Sequence, residues 1–357
     1  MIFEPLINMH KIKYEILNDL VRKNLKHGRH LNIYINLDTI FKHFFSEKVM
    51  GDINNMKGFE PMEMSGALIN MIAHYRDFFW RYWNIPTSFY LYLANRKPVI
   101  NDQFYDGYMK DFIKKRKVKH PEFGPLNEVI NDNMKLANII SLYVKDAYCL
   151  PGNGLEPTLG PYHIMNKVRD NIDICHLILT KDENDFQLLN AAENAHVLRL
   201  KYDKSYMINR DTIYMERFKK IKYRPEEHIS SELYPVLLAF SGLKSRSIDP
   251  IKGYGFVKVM KKLDQAIQEG MLPNSYISDM MTLCHVLDVP ELYPEISNRF
   301  KAIDLKTGYQ MLGTGAIETI ESMLIDRYDN ASIMGLNDEY YRNNPLRLIE
   351  LCRGVGY

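Results

Sequence analysis

The chain has 357 residues, 46% of them hydrophobic, and its formal net charge is +2. This composition excludes a disordered chain. The nearly balanced charge excludes a protein that attracts polyanions over its whole surface, so any nucleic-acid-binding surface must be local. The length is sufficient for one large domain, or two modest ones, with a sizeable core.

The four cysteines, Cys149, Cys175, Cys284 and Cys352, lie far apart and have no metal-binding spacing. They are typical of buried thiols in a reducing compartment. The sequence begins without a basic region and apolar core, and it has no run of about 18 apolar residues, so we expect neither a signal peptide nor a membrane helix. These features predict a cytoplasmic or otherwise intracellular protein. The abundance of Tyr, Asn, Ile, Lys and Met suits an AT-rich viral or phage genome, for which the location would be the host cytoplasm or the virion.

Predicted strands alternate with predicted helices after an amphipathic N-terminal helix. Apolar or alternating runs indicate strands at 31–35, 87–94, 143–150, 177–180 and 195–200. Polar turns follow four of these strands, which is where open α/β sheets place ligands and metals. The predicted fold class is therefore α/β, with a parallel sheet flanked by helices.

The segment 177–189, LILTKDENDFQLL, carries the clearest motif in the chain. It resembles a signature of the 5′-nuclease superfamily, Ser-Gly-Asp-x-Asp-x-x-Gln-Leu, found in flap endonucleases and phage 5′-exonucleases. The matching columns hold, without a gap, Thr180, Lys181, Asp182, Asn184, Gln187 and Leu188. The resemblance implies a PIN-like core, followed by a helical region with a helix–hairpin–helix element.

In that superfamily, carboxylates hold two Mg²⁺ or Mn²⁺ ions about 4 Å apart, which activate water and stabilise the leaving oxygen. The resemblance places the acid columns at Asn36, Leu93, Glu156, Thr158, Asp182, Asn184, and Leu243 or Arg246. Among these positions only Glu156 and Asp182 remain acidic. Each missing acid removes a ligand and the charge that offsets metal dehydration. The resemblance therefore implies weak or absent Mg²⁺ binding, no metal site and no catalytic residues.

Two segments resemble the superfamily's nucleic-acid-binding elements. Residues 108–116, within a helix predicted at 104–116, correspond to the basic helix over the active site. Residues 248–255 correspond to a hairpin whose two glycines bring backbone N–H groups close to a phosphate, usually with a monovalent cation. The residues expected to bind nucleic acid, with DNA as the favoured form, are Lys114, Lys115, Arg116, Lys252, Gly253, Tyr254, Gly255, Lys258, Lys261 and Lys262.

The predicted organisation is an N-terminal helix (1–29), a PIN-like core (30–230), a helix–hairpin–helix region (231–270) and a C-terminal helical region (271–357). The implied function is a catalytically inactive 5′-nuclease-like protein that binds nucleic acid. One alternative is a structural or assembly component, for example of a viral particle or polymerase complex, with protein partners. The other is an active metal-dependent nuclease whose acids come from elsewhere, such as Asp38, Asp146 or Asp185.

Overall fold

The computed structural model describes residues 22, 29–38, 72, 75–94, 98–110, 119–120, 124–125, 146–199, 206–214 and 229–324. Most of the expected N-terminal helix lies outside these residues, and so does the C-terminal segment after 324. The expected contacts of Lys114, Lys115 and Arg116 also lie outside them. The division into four regions stays a prediction.

A mainly parallel sheet forms the core. Its strands and those of a short separate ribbon are, in chain order, β1 (His30–Asn36), β2 (Thr87–Leu93), β3 (Lys119–His120), β4 (Gly124–Pro125), β5 (Ala147–Pro151), β6 (Ile174–Thr180), β7 (Ala195–Arg199) and β8 (Tyr206–Ile208). The six-stranded sheet has the order β5-β2-β1-β6-β7-β8, while β3 pairs with β4. Within the six-stranded sheet, only the β7–β8 pairing is antiparallel. The predicted α/β class with a parallel sheet is confirmed.

The central strands β1 and β6 explain why the sequence folds in this way. Every residue after the first in each strand is buried. Parallel strands covered on both faces require such nearly continuous apolar sequences. On one face, the rings of Tyr34, Tyr90 and Tyr148 stack across β1, β2 and β5, with centroids 4.9 and 5.2 Å apart. These contacts contribute to the packing between the three strands.

Helices cover this sheet and form a layer beyond it. They are α1 (Val99–Phe104), α2 (Leu159–Lys167), α3 (Tyr234–Ser241), α4 (Phe256–Gln268), α5 (Met280–Val286), α6 (Tyr293–Ile303), α7 (Leu305–Gln310) and α8 (Thr314–Ser322), with a further helix at 75–83. Helix α3 is buried along nearly its whole length and packs against α4 and α6. Its side chains share one core with Tyr34 and Ile178 of the sheet. No helix in the described ranges is long and apolar enough to cross a bilayer.

The helix predicted at 104–116 is wrong at its start. Helix α1 ends at Phe104, and residues 105–109 form turns. Gly107 and Met109 have φ values of 80° and 57°, which the right-handed helix excludes. These turns place the Tyr108 side chain in the interior, where its hydroxyl group donates to Glu156 at 2.8 Å.

Candidate functional site

Polar side chains converge where β1, β2 and β6 end. Asn36 lies opposite Tyr92 in the β1–β2 pairing, and Thr180 ends β6. A 3₁₀-helix at Glu183–Asn190 begins directly after β6, and the Asp182 side chain caps it by accepting from the backbone N–H of Asn184. The predicted convergence at the carboxyl edge of the sheet is confirmed for Asn36 and Asp182.

The centre of this site is the guanidinium group of Arg246. Its Nη2 lies 2.5 Å from Oε1 of Glu156, and its Nη1 lies 2.5 Å from Oδ2 of Asp182. Its Nε also donates to both carboxylate oxygens of Glu156, at 3.2 and 3.0 Å. All three residues are buried. Charge pairs shielded from water interact strongly, and removing one partner leaves the other charge uncompensated.

Arg246 reaches the site from a closed loop after α3. The backbones of Leu243 and Ile248 exchange hydrogen bonds, and a 3₁₀ turn at Lys244–Arg246 lies between them. Gly242 precedes the loop with φ at 77°, and a Cβ there would lie 2.6 Å from the Ile248 carbonyl oxygen. This position therefore requires glycine. Of the two candidate columns for the last acid, the structure places Arg246 in the site, while Leu243 is buried in the apolar core.

Strand β2 contributes Tyr92 rather than Leu93 to the site. The Tyr92 hydroxyl group donates to Oδ2 of Asp185 at 2.8 Å. Successive side chains in a strand point to opposite faces, so Leu93 lies on the other face of the sheet. The structure therefore places Tyr92, the residue before the predicted column, in the site, while the assignment of Leu93 to an acid column stays a prediction.

Asp185 forms the second half of the site and is fully buried. Its Oδ2 accepts from Asn36 Nδ2 at 2.6 Å, from Tyr92 and from Thr180 Oγ1 at 2.5 Å, while its Oδ1 accepts from Thr158 Oγ1 at 2.8 Å. Burial and the charge of Asp182 raise the pKa of Asp185 to about 7. The motif assigns no role to Asp185. The sequence suggests it only as one acid that could replace the missing motif acids in an active nuclease.

The other two displaced acids do not join this cluster. Asp38 Oδ2 accepts from the backbone N–H of Ala94 at 2.6 Å, which ties the turn after β1 to the end of β2. Asp146 directly precedes β5 and therefore lies at the amino end of that strand, opposite the site.

Each remaining acid of the motif has further partners. Ser245 Oγ donates to Asp182 at 2.7 Å, and Asn184 Nδ2 donates to Glu156 at 3.3 Å. Burial alone would raise the pKa of Asp182, but the Arg246 guanidinium holds it below its usual range. The same carboxylates outweigh the effect of burial on Arg246 and raise its pKa well above the usual value. Arg246 is therefore a permanent cation in this site.

The motif glutamine links the site to the C-terminal helices. Gln187 Nε2 donates to Asn184 Oδ1 at 2.8 Å and to the Ile303 carbonyl at 3.1 Å. The backbone N–H of Leu305 donates to Gln187 Oε1 at 3.2 Å. The junction of α6 and α7 thereby holds the 3₁₀-helix that follows β6.

The predicted hairpin is an exposed turn between α3 and α4. Gly253 has φ at 82°, and no atom lies within 4 Å of a Cβ built at Gly253 or at Gly255. Lys258 Nζ lies 4.4 Å from the centre of the Tyr254 ring, a cation–π contact. Lys262 is half-buried, because its Nζ donates to the Leu287 carbonyl at 2.5 Å. The exposed lysines of this turn and helix are Lys252, Lys258 and Lys261.

The Asp185 cluster leads to a prediction about pH. In the unfolded chain this carboxyl group ionises near 3.8, whereas in the folded protein it keeps its proton up to about pH 7. The folded state binds more protons in this window, so Asp185 makes the free energy of unfolding fall as pH rises from about 4 to about 7. Asp185→Asn should remove this dependence. Urea unfolding of both proteins at several pH values measures it, and parallel pH profiles would contradict the assignment.

Neither a protein-family model nor a curated protein sequence matches the chain. Solved structures of bacteriophage T5 proteins match the chain. The D15 protein co-crystallised with metal ions superposes with a TM-score of 0.55 at 12% identity, covering 84% of this chain and 99% of that one. A D15 flap endonuclease variant, described as a pseudo-enzyme–product complex with DNA and metal ions, gives 0.56 at 12% over the same shares. T5 5′-exonuclease with bound zinc gives 0.52 at 12%, over 83% and 98%. This likeness establishes a shared fold, the one that the motifs predicted.

Proposed function

We propose that this chain, which has the fold of the 5′-nuclease superfamily, binds nucleic acid without cleaving it. The observation that carries the proposal is the guanidinium of Arg246 between Glu156 and Asp182. In metal-dependent nucleases, divalent cations compensate clustered carboxylates and activate water. Arginine compensates the charge here, but it stays protonated and cannot generate a hydroxide nucleophile.

The donor set does not fit a two-metal centre. Mg²⁺ requires near-octahedral oxygen coordination, with carboxylates and waters in its first shell. Glu156 and Asp182 face Arg246 instead, and Asp185 accepts from four side chains. Within the described ranges, no three His, Cys, Asp or Glu side chains are placed to hold a metal ion.

The alternative of an active nuclease with displaced acids has one observation in its favour, the presence of Asp185 among the site residues. Its four hydrogen bonds weigh against this alternative, because three of them occupy Oδ2 and one occupies Oδ1, so a metal ion would have to compete with these donors for the carboxylate. Burial also favours the neutral form of Asp185 near pH 7. A neutral carboxylic acid is a poor ligand for a hard cation.

Retention of nucleic acid by a variant that gains a positive charge has a parallel among the solved structures. The D15 complex with DNA contains an aspartate-to-lysine variant, so that protein was crystallised with product and metal ions despite a cation in place of an acid. In this chain, the turn at Gly253 and Gly255 and the exposed Lys252 and Lys258 supply a candidate surface. Open backbone and lysine at a helix start suit phosphate contacts, and DNA is the favoured ligand.

The assembly alternative rests on a different surface. Trp80 and Tyr82, near the end of the helix at 75–83, are 56% and 73% exposed. Exposed aromatic side chains are enriched in protein interfaces. Failure of the protein to bind nucleic acid at low salt would favour this alternative.

We expect purified protein to leave labelled flap, nicked and 5′-overhang substrates intact in Mg²⁺ or Mn²⁺. The reason is that the fixed cation Arg246 stands where metal ions would be needed. The matched control is Asp182→Ala, which removes one of the two remaining motif acids. Cleavage by the wild type that this variant abolishes would refute the proposal, whereas cleavage that survives it would identify a contaminant.

A further inference from the structure

A pocket of about 670 Å³ opens beside the Arg246 cluster. Lys181 and Arg199, at the ends of β6 and β7, line the pocket, and so does Lys244 from the loop after α3. The volume lies within the range of roughly 300–1,000 Å³ found for small-ligand sites. We propose that this pocket binds a phosphate monoester, carried by a free nucleotide or by the end of a nucleic-acid strand.

The arrangement of the cations carries the proposal. Thr180 lies opposite Arg199 in the β6–β7 pairing, so Lys181 and Arg199 leave adjacent strand ends. Burial, and then the charge of Arg199, lower the pKa of Lys181 to about 8. Two cations that disfavour each other are both stabilised by an anion placed between them. The fold therefore holds positive charges together at a place where a bound anion would relieve their repulsion.

The acids of the pocket cancel only part of this attraction. Asp182 faces Arg246 and accepts from Ser245. Glu183 lies 3.8 Å from Arg199, and Asp249 is exposed at the surface. Arg246 therefore balances the charge of the buried Asp182, and Arg246 is not one of the cations that line the pocket.

The charge of the lining favours a phosphate monoester over a singly charged anion. Of the serines that line the pocket, Ser245 already donates to Asp182, whereas the Ser241 hydroxyl oxygen is buried without a hydrogen-bond partner. A phosphate monoester carries a charge of about −1.5 to −2 near pH 7 and three acceptor oxygens, which matches the three cations Lys181, Arg199 and Lys244. A phosphodiester carries a single charge and fits this lining less well.

The test measures thermal unfolding of the whole chain in inorganic phosphate, in a nucleoside monophosphate, and in chloride at equal ionic strength. We expect both phosphates to raise Tm saturably above the chloride value. Lys181→Gln and Lys244→Gln should each raise the apparent Kd at least about tenfold, because each removes a charged hydrogen-bond donor. Glu183→Gln should lower the apparent Kd, since it removes a repelling charge.

Arg169→Gln is the matched control, because it removes one exposed cation just after α2, outside both the pocket and the proposed nucleic-acid surface, and should leave phosphate binding unchanged. An equal rise of Tm in chloride would overturn the proposal. Phosphate binding unchanged in both Lys181→Gln and Lys244→Gln would also overturn it.

Binding of oligonucleotides distinguishes the two possible ligands, a free nucleotide and the phosphorylated end of a strand. Only this part of the experiment rests on the proposed function. Tighter binding of a 5′-phosphorylated strand than of its 5′-hydroxyl form, abolished in Lys181→Gln and kept in Arg169→Gln, would assign the pocket to strand ends. Equal binding of both strands, with free phosphate still bound, would assign it to free nucleotides. DNA binding that depends on Lys252 without any phosphate-dependent rise in Tm would refute the pocket and leave the proposed function standing.

Discussion

Arg246→Ala is expected to lower the free energy of unfolding by about 3–5 kcal/mol, the usual effect of removing one partner from a buried ion pair. The substitution leaves Glu156 and Asp182 buried without the guanidinium that now contacts both of them. Urea unfolding at pH 7 measures the change. A variant as stable as the wild type would show that another group compensates the two carboxylates.

Two controls separate the effect of charge from the effect of packing. Arg246→Lys keeps a cation but cannot reach both acids with the planar fork of arginine, so it should recover only part of the stability. Arg246→Leu combined with Glu156→Gln and Asp182→Asn removes all three charges and should recover more of it, because neutral replacements of buried ion pairs are often tolerated. Packing alone would explain the destabilisation if the combined variant were no more stable than Arg246→Leu.

Divalent cations give a further readout on the same variant. In Arg246→Ala, the two released carboxylates lie close enough to share one counter-ion in place of the guanidinium. Millimolar Mn²⁺ should therefore raise the Tm of Arg246→Ala more than that of the wild type, by mass action on the folded state. An identical response of both proteins would mean that the guanidinium is not what prevents metal binding.

The sequence predicted the sheet and part of the site because hydrophobic runs and motif order are local signals. Apolar residues dominate β1 and β6, although Asn32, Asn36 and His176 interrupt them, and the columns from Thr180 to Leu188 have no gap. The sequence alone did not indicate that Tyr92 faces the site, because a shift of one residue in a strand reverses the face to which a side chain points. Only the pairing of Asn36 with Tyr92 in the folded sheet settles that register.

The roles of Arg246 and Asp185 could not be predicted in the same way. In the sequence, Arg246 appeared only as a missing acid, since its partners Glu156 and Asp182 are 90 and 64 residues away. Asp185 stands one residue beyond Asn184, and its donors come from four separate segments of the chain. The sequence nevertheless contained a signal for this ion pair. A basic residue in one acid column, with acids kept in two other columns, suggests that the basic side chain pairs with them in the fold.

The surface formed by the turn before α4 and the start of α4 should bind duplex DNA. Its exposed lysines should determine how strongly the binding constant depends on salt concentration. Neutralising Lys252, Lys258 and Lys261 together should weaken binding and reduce the log–log salt slope by roughly 0.9 for each phosphate that the protein no longer neutralises. Lys262→Gln should chiefly lower stability instead, because the Lys262 ammonium group bonds to the Leu287 carbonyl inside the fold. Arg169→Gln, exposed just after α2, is the control for a general decrease in positive charge.

Gly255→Ala tests whether a phosphate approaches the backbone at the start of α4, without changing the charge of the protein. Gly255 has φ at −65°, and no atom lies within 4 Å of an added Cβ, so alanine should leave the fold and its stability unchanged. If a phosphate approaches the start of α4 as the hairpin motif implies, that Cβ should weaken DNA binding while the salt slope stays nearly the same. Gly253→Ala is less informative, because its φ of 82° adds backbone strain. A Gly255→Ala variant that binds DNA like the wild type would remove the turn from the binding surface and leave only the lysines of α4.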